Sequence, residues 1–144
     1  MARLRKIMTA VNFEEALEKI VKNDFRYQRE AYLFVREALD HTHKMIGKAK
    51  KGQVTGQELL AGIRSYALEE YGPMALALLH EWGLRRCEDF GEVVFNMVES
   101  NVLAKTEKDS REDFKNGYPF DQAFRQPYLP AGKMAAPEAE AKST

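Results

Sequence analysis

The stretch that decides the fold runs from Thr55 to Asn101 and reads TGQELLAGIRSYALEEYGPMALALLHEWGLRRCEDFGEVVFNMVESN. A threonine followed three residues later by a glutamate predicts the start of a helix, and a Gly-Pro pair ends that helix and begins the next. A Trp-Gly pair then ends the second helix, and Asp-Phe-Gly-Glu opens a third. The second and third segments, residues 73–82 and 90–100, are apolar almost all round. We therefore expect both in the centre of a packed helical core.

Two further helices are predicted upstream of this stretch. Apolar residues recur at helical spacing over residues 13–22, directly after Asn12, which has the chemistry of a helix cap. A longer helix is expected over residues 28–46, with an apolar stripe along one face, and Gly47 should end it. The sequence therefore predicts an all-α, single-domain bundle of about five helices.

The pattern weakens after Asn101, where a short extended segment and one more helical turn are expected. An aromatic arm follows, with Phe114, Tyr118, Phe120 and Phe124 inside about eleven residues. Four such rings left in water would form a sizeable apolar patch, so we expect the arm to fold back and complete the core. The alternative is that it docks on a partner or a second copy of the chain.

The composition divides the chain into a basic N-terminal lead (residues 1–11), a helical domain (12–125) and a tail (126–144). The tail is rich in Pro, Ala, Gly, Glu and Lys and is expected to be disordered. The whole chain carries 22 basic and 22 acidic side chains. This balance argues against a protein that lives on bare nucleic acid or on an anionic membrane.

Several features favour a cytoplasmic location. The single cysteine, Cys87, cannot form an internal disulfide, which fits a reducing compartment. No long apolar stretch follows the basic start, so a secretory signal is not expected. The longest apolar run, residues 74–79, is far too short to span a bilayer.

The chain resembles a bacterial family of small conserved proteins from planctomycetes and verrucomicrobia that has no assigned activity. The resemblance covers roughly residues 13–124. It rests on short motifs at Thr55–Leu60, Gly62–Arg64, Gly72–Ala75, Trp82–Gly83, Asp89–Asn96 and Asp113–Phe114. It implies a bacterial, soluble, single-domain protein, and it supplies no catalytic residue to carry over.

The side chains that could carry chemistry do not form a recognisable catalytic or metal-binding set. His41 and His43 lie two apart on a helix and so point to nearly opposite sides, and His80 with Cys87 gives only two ligands. Cys87 precedes a predicted helix start, where a thiolate is stabilised, but a packed or half-exposed inert thiol is the better interpretation. We expect no metal, no cofactor and no enzymatic activity.

The remaining features favour a non-enzymatic protein-interaction module with a protein partner or a homodimer. Its expected binding residues are aromatic and basic: Trp82, Arg85, Arg86, Phe114, Tyr118, Phe120 and Phe124. The alternative is an RNA- or ribosome-associated factor that uses the basic N-terminus and a lysine loop, namely Arg3, Arg5, Lys6, Lys48, Lys50 and Lys51. A winged-helix arrangement fits poorly, because its reading helix would begin with acidic residues.

Overall fold

The computed structural model describes residues 5–6, 10–47, 54–104, 111–115 and 117–130. Within them lie five α-helices: α1 (Ala10–Asn23), α2 (Arg29–Ile46), α3 (Gly56–Tyr71), α4 (Ala75–Glu81) and α5 (Cys87–Glu99). Two strands of two residues, β1 (Arg5–Lys6) and β2 (Leu103–Ala104), pair antiparallel, with Arg5 opposite Ala104. The chain is therefore an all-α, single-domain bundle, as predicted. None of the helices in the described part has the length and apolarity needed to cross a membrane.

The helix ends follow the local chemistry of the sequence at α2 and α3. The Thr55 hydroxyl accepts the backbone N–H of Glu58 (3.0 Å), and the Glu58 carboxylate accepts the backbone N–H of Thr55 (2.9 Å). This is the predicted reciprocal cap. Gly47 and Gly72, which follow α2 and α3, have φ values of 73° and 52°. Both lie in the region that glycine adopts without a steric cost, so both helices stop where the sequence predicts.

Two helices begin earlier than predicted. The first turn of α1 already contains Asn12, so this residue is not the cap. Similarly, α5 begins at Cys87, and Asp89 is its third residue. The Asp89 carboxylate accepts the backbone N–H groups of Arg85 (2.9 Å) and Arg86 (3.2 Å). An aspartate stabilises a helix start from this position as well as from the cap, which explains the shifted boundary.

The prediction that both apolar helices lie in the centre of the core is correct for α5 and wrong for α4. The core face of α5 contains many buried side chains: Phe90, Val93, Val94, Phe95 and Met97. In α4 only Ala75 and Leu79 are buried, and Met74, just before it, is 63 % exposed. The helix has seven residues and packs one face against α3 and the C-terminal arm. A pattern that is apolar all round does not distinguish this one-sided packing from a central position.

The C-terminal arm packs on the helices, as expected. It consists of a 3₁₀ turn (Arg111–Phe114), a π-helical turn (Asp121–Arg125) and a second 3₁₀ turn (Gln126–Tyr128). These turns contact α3, α4 and α5. The last turn and residues 129–130 belong to the segment that the sequence assigns to the tail. The rest of that predicted tail, from residue 131, lies outside the described residues.

Candidate partner-binding site

The three phenylalanines of the arm are core residues. Phe114, Phe120 and Phe124 are 1 %, 5 % and 0 % exposed. The rings of Phe120 and Phe124 meet edge to face with their centroids 5.1 Å apart, and Phe120 stacks on Phe90 of α5 at 5.3 Å. The prediction that these three rings anchor a partner is therefore wrong for the folded chain, because the bundle's own core already covers them.

Trp82 is half-buried and belongs to an aromatic cluster at the end of α4. Its ring centroid lies 5.7 Å from that of Phe34 and 5.7 Å from that of Tyr71, which it meets edge on. The Trp82 carbonyl also accepts the backbone N–H of Gln28 at 3.0 Å, which ties the α4–α5 turn to the start of α2. The exposed part of the ring is available to a partner, but most of its contacts hold the bundle together.

Arg85, Arg86 and Tyr118 converge on one cleft of about 200 Å³. The cleft lies between α4, the turn that precedes α5, and the arm. Its walls combine basic, aromatic and aliphatic side chains, contributed by Leu76, His80, Arg85, Arg86, Tyr118, Pro119, Phe120 and Asp121. The structure thus brings together two predicted arginines and two predicted aromatic residues, although Phe120 contributes as part of the core.

The backbone that carries the two arginines is firmly held. The Asp89 carboxylate accepts both of their backbone N–H groups through one oxygen and the Tyr27 hydroxyl through the other, at 2.8 Å. Burial, together with this hydrogen bond, raises the pKa of Tyr27, so its hydroxyl stays neutral and donates. The arginine side chains are exposed and form no ion pair with any described residue. Two exposed cations are therefore displayed from a rigid turn.

The other ionisable groups of the cleft add little charge. Burial lowers the pKa of His80, and the nearby Arg85 lowers it further, which favours the neutral ring at pH 7. That ring stacks against Phe120, with the planes inclined by 13°. The carboxylate of Asp121, which is 5 % exposed, pairs with the guanidinium of Arg125 at 2.8 Å. The net charge of the cleft is therefore positive and comes from its two arginines.

A second cleft of about 300 Å³ also borders on Tyr118. Its lining residues come from α3 and from the arm: Gln57, Leu60, Ala61, Arg64, Gly117 and Tyr118. The Tyr118 hydroxyl donates to the carbonyl of Leu60 at 2.7 Å, so the ring is anchored on α3. Tyr118 is thus a shared wall of two neighbouring clefts.

Cys87 lies directly behind this wall. It is 2 % exposed, and its sulphur accepts the backbone N–H of Tyr118 at 3.4 Å. A Cβ atom at Gly117 would lie 2.6 Å from the sulphur, so the arm passes very close to the thiol. Burial raises the pKa of Cys87 to about 11, which outweighs the favourable position at the start of α5. The geometry agrees with the expectation of a packed thiol.

No group of three or more His, Cys, Asp or Glu side chains in the described part of the chain is placed to hold a metal ion. His41 faces α3 instead. Its Nε2 lies 3.1 Å from the Ser65 hydroxyl and 3.6 Å from the Glu69 carboxylate. The ring therefore takes part in the contact between α2 and α3.

The residues of the RNA-binding alternative are mostly ones whose side chains the structure does not describe. Arg3, Lys48, Lys50 and Lys51 lie outside the described residues, and for Arg5 and Lys6 only the backbone in β1 is described.

The sequence did not place Arg64, His80 or Asp121 near the other site residues. For Asp121 a signal existed, since its spacing of four from Arg125 is that of a helical ion pair. For Arg64 and His80 the sequence contains no such signal, because only the path of the arm brings them to the clefts.

Comparison of the chain with known protein families, with curated proteins and with solved structures gives no match. The resemblance to a planctomycete and verrucomicrobial family therefore stays a prediction. The geometry of the two clefts is the basis on which a function is assigned.

Proposed function

We propose that this protein is a non-enzymatic protein-interaction module that binds its partner through the cleft at Arg85 and Arg86. The observation that carries the proposal is the pair of exposed arginines, held by a fixed backbone beside the partly buried Tyr118. Arginine and aromatic side chains dominate the binding energy of many protein interfaces. A rigid backbone lowers the entropic cost of binding, because less of the site must be ordered when the partner arrives.

The size of the cleft favours a protein partner over a small metabolite. Sites for small molecules typically enclose about 300–1,000 Å³ and bury most of the ligand. The cleft at Arg85 encloses about 200 Å³. That volume suits a single side chain of a partner protein, with the rest of the interface formed by the surrounding surface.

A cytoplasmic location is part of the proposal. The chain's single cysteine, Cys87, is buried as a free thiol. Free thiols persist in reducing compartments, where disulfides are rare. A partner in the same compartment is therefore expected.

The test is an affinity purification from native bacterial lysate followed by mass spectrometry. The baits are the wild-type chain, the Arg85→Ala/Arg86→Ala variant, and a control, Lys22→Ala/Lys44→Ala, which removes the same charge from exposed sites on α1 and α2. We expect a protein that the wild type and the control enrich and the arginine variant does not. If the arginine variant enriches the same proteins as the wild type, the proposal is wrong. The purification is repeated after nuclease treatment. Captured proteins that are lost after this treatment would indicate that RNA, and not a direct protein contact, connects them to the bait.

A further inference from the structure

We infer that the two clefts beside Tyr118 form one continuous groove for an extended acidic segment of the partner protein. This inference rests on the proposed function and assigns a chemical class to the partner. Two observations carry it. The first is that Tyr118 lines both clefts, and the second is that exposed arginine lines each of them: Arg85 and Arg86 in one cleft, Arg64 in the other.

The divider between the clefts is rigid. The hydroxyl of Tyr118 donates to the Leu60 carbonyl on α3 at 2.7 Å. Its backbone N–H points at the sulphur of Cys87, 3.4 Å away at the start of α5. Both ends of this residue are therefore fixed to helices of the bundle. A ligand that contacts both clefts must pass over this ring and not displace it.

The charge of the groove selects an anionic ligand. Arg64, Arg85 and Arg86 are exposed, and none forms an ion pair with a described residue. The acid in the walls of either cleft is Asp121, and Arg125 neutralises it at 2.8 Å. Arginine guanidinium groups bind carboxylates through paired hydrogen bonds with defined geometry. Acidic side chains on the partner are therefore the natural complement.

The shape of the groove selects an extended chain. Among the described residues, Tyr118 is the one that lines both clefts, so a small anion would contact the arginines of one cleft only. In an extended peptide, alternate side chains point the same way and are roughly 6.6–6.8 Å apart, so one backbone can place carboxylates on both sides of a ring. Tyr118 and Leu76, which line the cleft with Arg85 and Arg86, suit an apolar side chain of the peptide. The expected ligand is an acidic segment with an apolar residue among its acids.

Fluorescence anisotropy with defined peptides tests this inference. The first probe is a fluorescein-labelled decapeptide in which glutamates alternate with serines around a central leucine. The second has glutamine at every glutamate position, and the third is an acidic dipeptide, which has no pair of alternate side chains to reach both clefts. We expect the full acidic decapeptide to bind best. Substituting Arg64→Ala should weaken its binding roughly tenfold, since a hydrogen bond to a charged group is lost. The dipeptide should bind weakly to the wild type and to this variant alike.

Two controls make the outcome specific. Lys22→Ala removes an exposed cation far along the chain from the groove and should leave the affinity unchanged, while thermal melting should show that all variants are folded. Equal binding of the acidic and the glutamine decapeptides would overturn the inference, as would tighter binding of a labelled single-stranded RNA of similar length. The proposed function and the continuous groove can also fail separately, and the variants distinguish the two cases. If Arg85→Ala/Arg86→Ala abolishes partner capture while Arg64→Ala affects neither capture nor peptide binding, the proposed function stands and the continuous groove does not.

Discussion

Gly62 on α3 lies directly against the side chain of Thr42 on α2. A Cβ atom at Gly62 would overlap the hydroxyl and the Cβ of the threonine. Thr42 is 1 % exposed, and its hydroxyl donates to the carbonyl of Ala38 at 2.7 Å, so it has no room to turn away. The close approach of α2 and α3, the most extensive helix contact in the bundle, therefore depends on the absence of a side chain at this position.

The substitution Gly62→Ala should destabilise the protein by about 1–3 kcal/mol, because the added methyl group forces the two helices apart. This cost must exceed the gain of about 1 kcal/mol that alanine brings over glycine in a helix interior. Urea unfolding followed by circular dichroism measures the difference. The double variant Thr42→Ala/Gly62→Ala should recover part of the loss, since it removes the two outer atoms of the threonine. If Gly62→Ala alone is as stable as the wild type, the packing described for α2 and α3 is incorrect.

The arm should contribute to stability as a core element. Phe124→Ala removes a side chain that is 0 % exposed and should cost about 3–5 kcal/mol. The chain offers a matched control in Phe25, which is 86 % exposed in the turn between α1 and α2. Phe25→Ala removes the same atoms from a solvated site and should change the free energy of unfolding by less than about 0.5 kcal/mol. Similar losses in the two variants, measured by urea unfolding, would contradict the assignment of the arm to the core.

Much of the fold was predictable because its signals are local. The cap of Thr55 with Glu58 and the glycine stops at Gly47 and Gly72 depend on residues within one helical turn, and the structure has them as predicted. The position of a helix in the bundle, in contrast, is not determined by its local sequence. The apolar pattern of α4 matches that of a central helix, yet which of its faces is covered depends on where the arm passes.

The candidate site was predictable only in part for the same reason. The local charge of Arg85 and Arg86 marks them in the sequence as candidate binding residues, and the structure places both in the cleft. The free-energy cost of exposing the arm's phenylalanines to water predicts that they are buried, but it does not distinguish burial in the chain's own core from burial against a partner. Arg64 lies more than fifty residues from Tyr118 in the sequence, and nothing in its surroundings indicates that the two share a cleft.

Asp24 should make stability depend on pH in the acidic range. Hydrogen bonds from the Arg26 guanidinium, at 2.7–3.2 Å, lower the pKa of this carboxyl well below its usual value, and the Asn96 amide at 3.0 Å adds to the effect. A group with a lowered pKa stabilises the fold at pH values above its unfolded pKa of about 3.9, and that contribution disappears as the pH falls through the lower folded value.

The Asp24→Asn variant should therefore be less stable than the wild type at pH 7 by about 1 kcal/mol, a modest value because the arginine is half exposed. Between pH 5 and pH 2 the gap should narrow, because the Asp24 carboxyl of the unfolded chain becomes protonated over this range while that of the folded chain stays ionised. Urea unfolding at several pH values measures both effects. Glu18→Gln, at an exposed position on α1, serves as the control and should show no such convergence. A gap that stays constant down to pH 2 would mean that the carboxylate's charge does not stabilise the fold.

Cys87 should react slowly with thiol reagents in the folded protein. With a pKa of about 11, roughly one thiol in a thousand is ionised at pH 8, whereas an unperturbed cysteine near pKa 8.5 is ionised to about a quarter. Burial behind Tyr118 adds a steric barrier. Labelling with Ellman's reagent at pH 8 should therefore be more than a hundredfold slower in buffer than in urea, where the thiol is exposed.

Gly117→Ala tests the cause of this slow labelling, because its methyl group would lie 2.6 Å from the sulphur and should push the arm away. That variant should label faster than the wild type while α-helix content is retained. If it labels at the wild-type rate, the arm is not what shields the thiol.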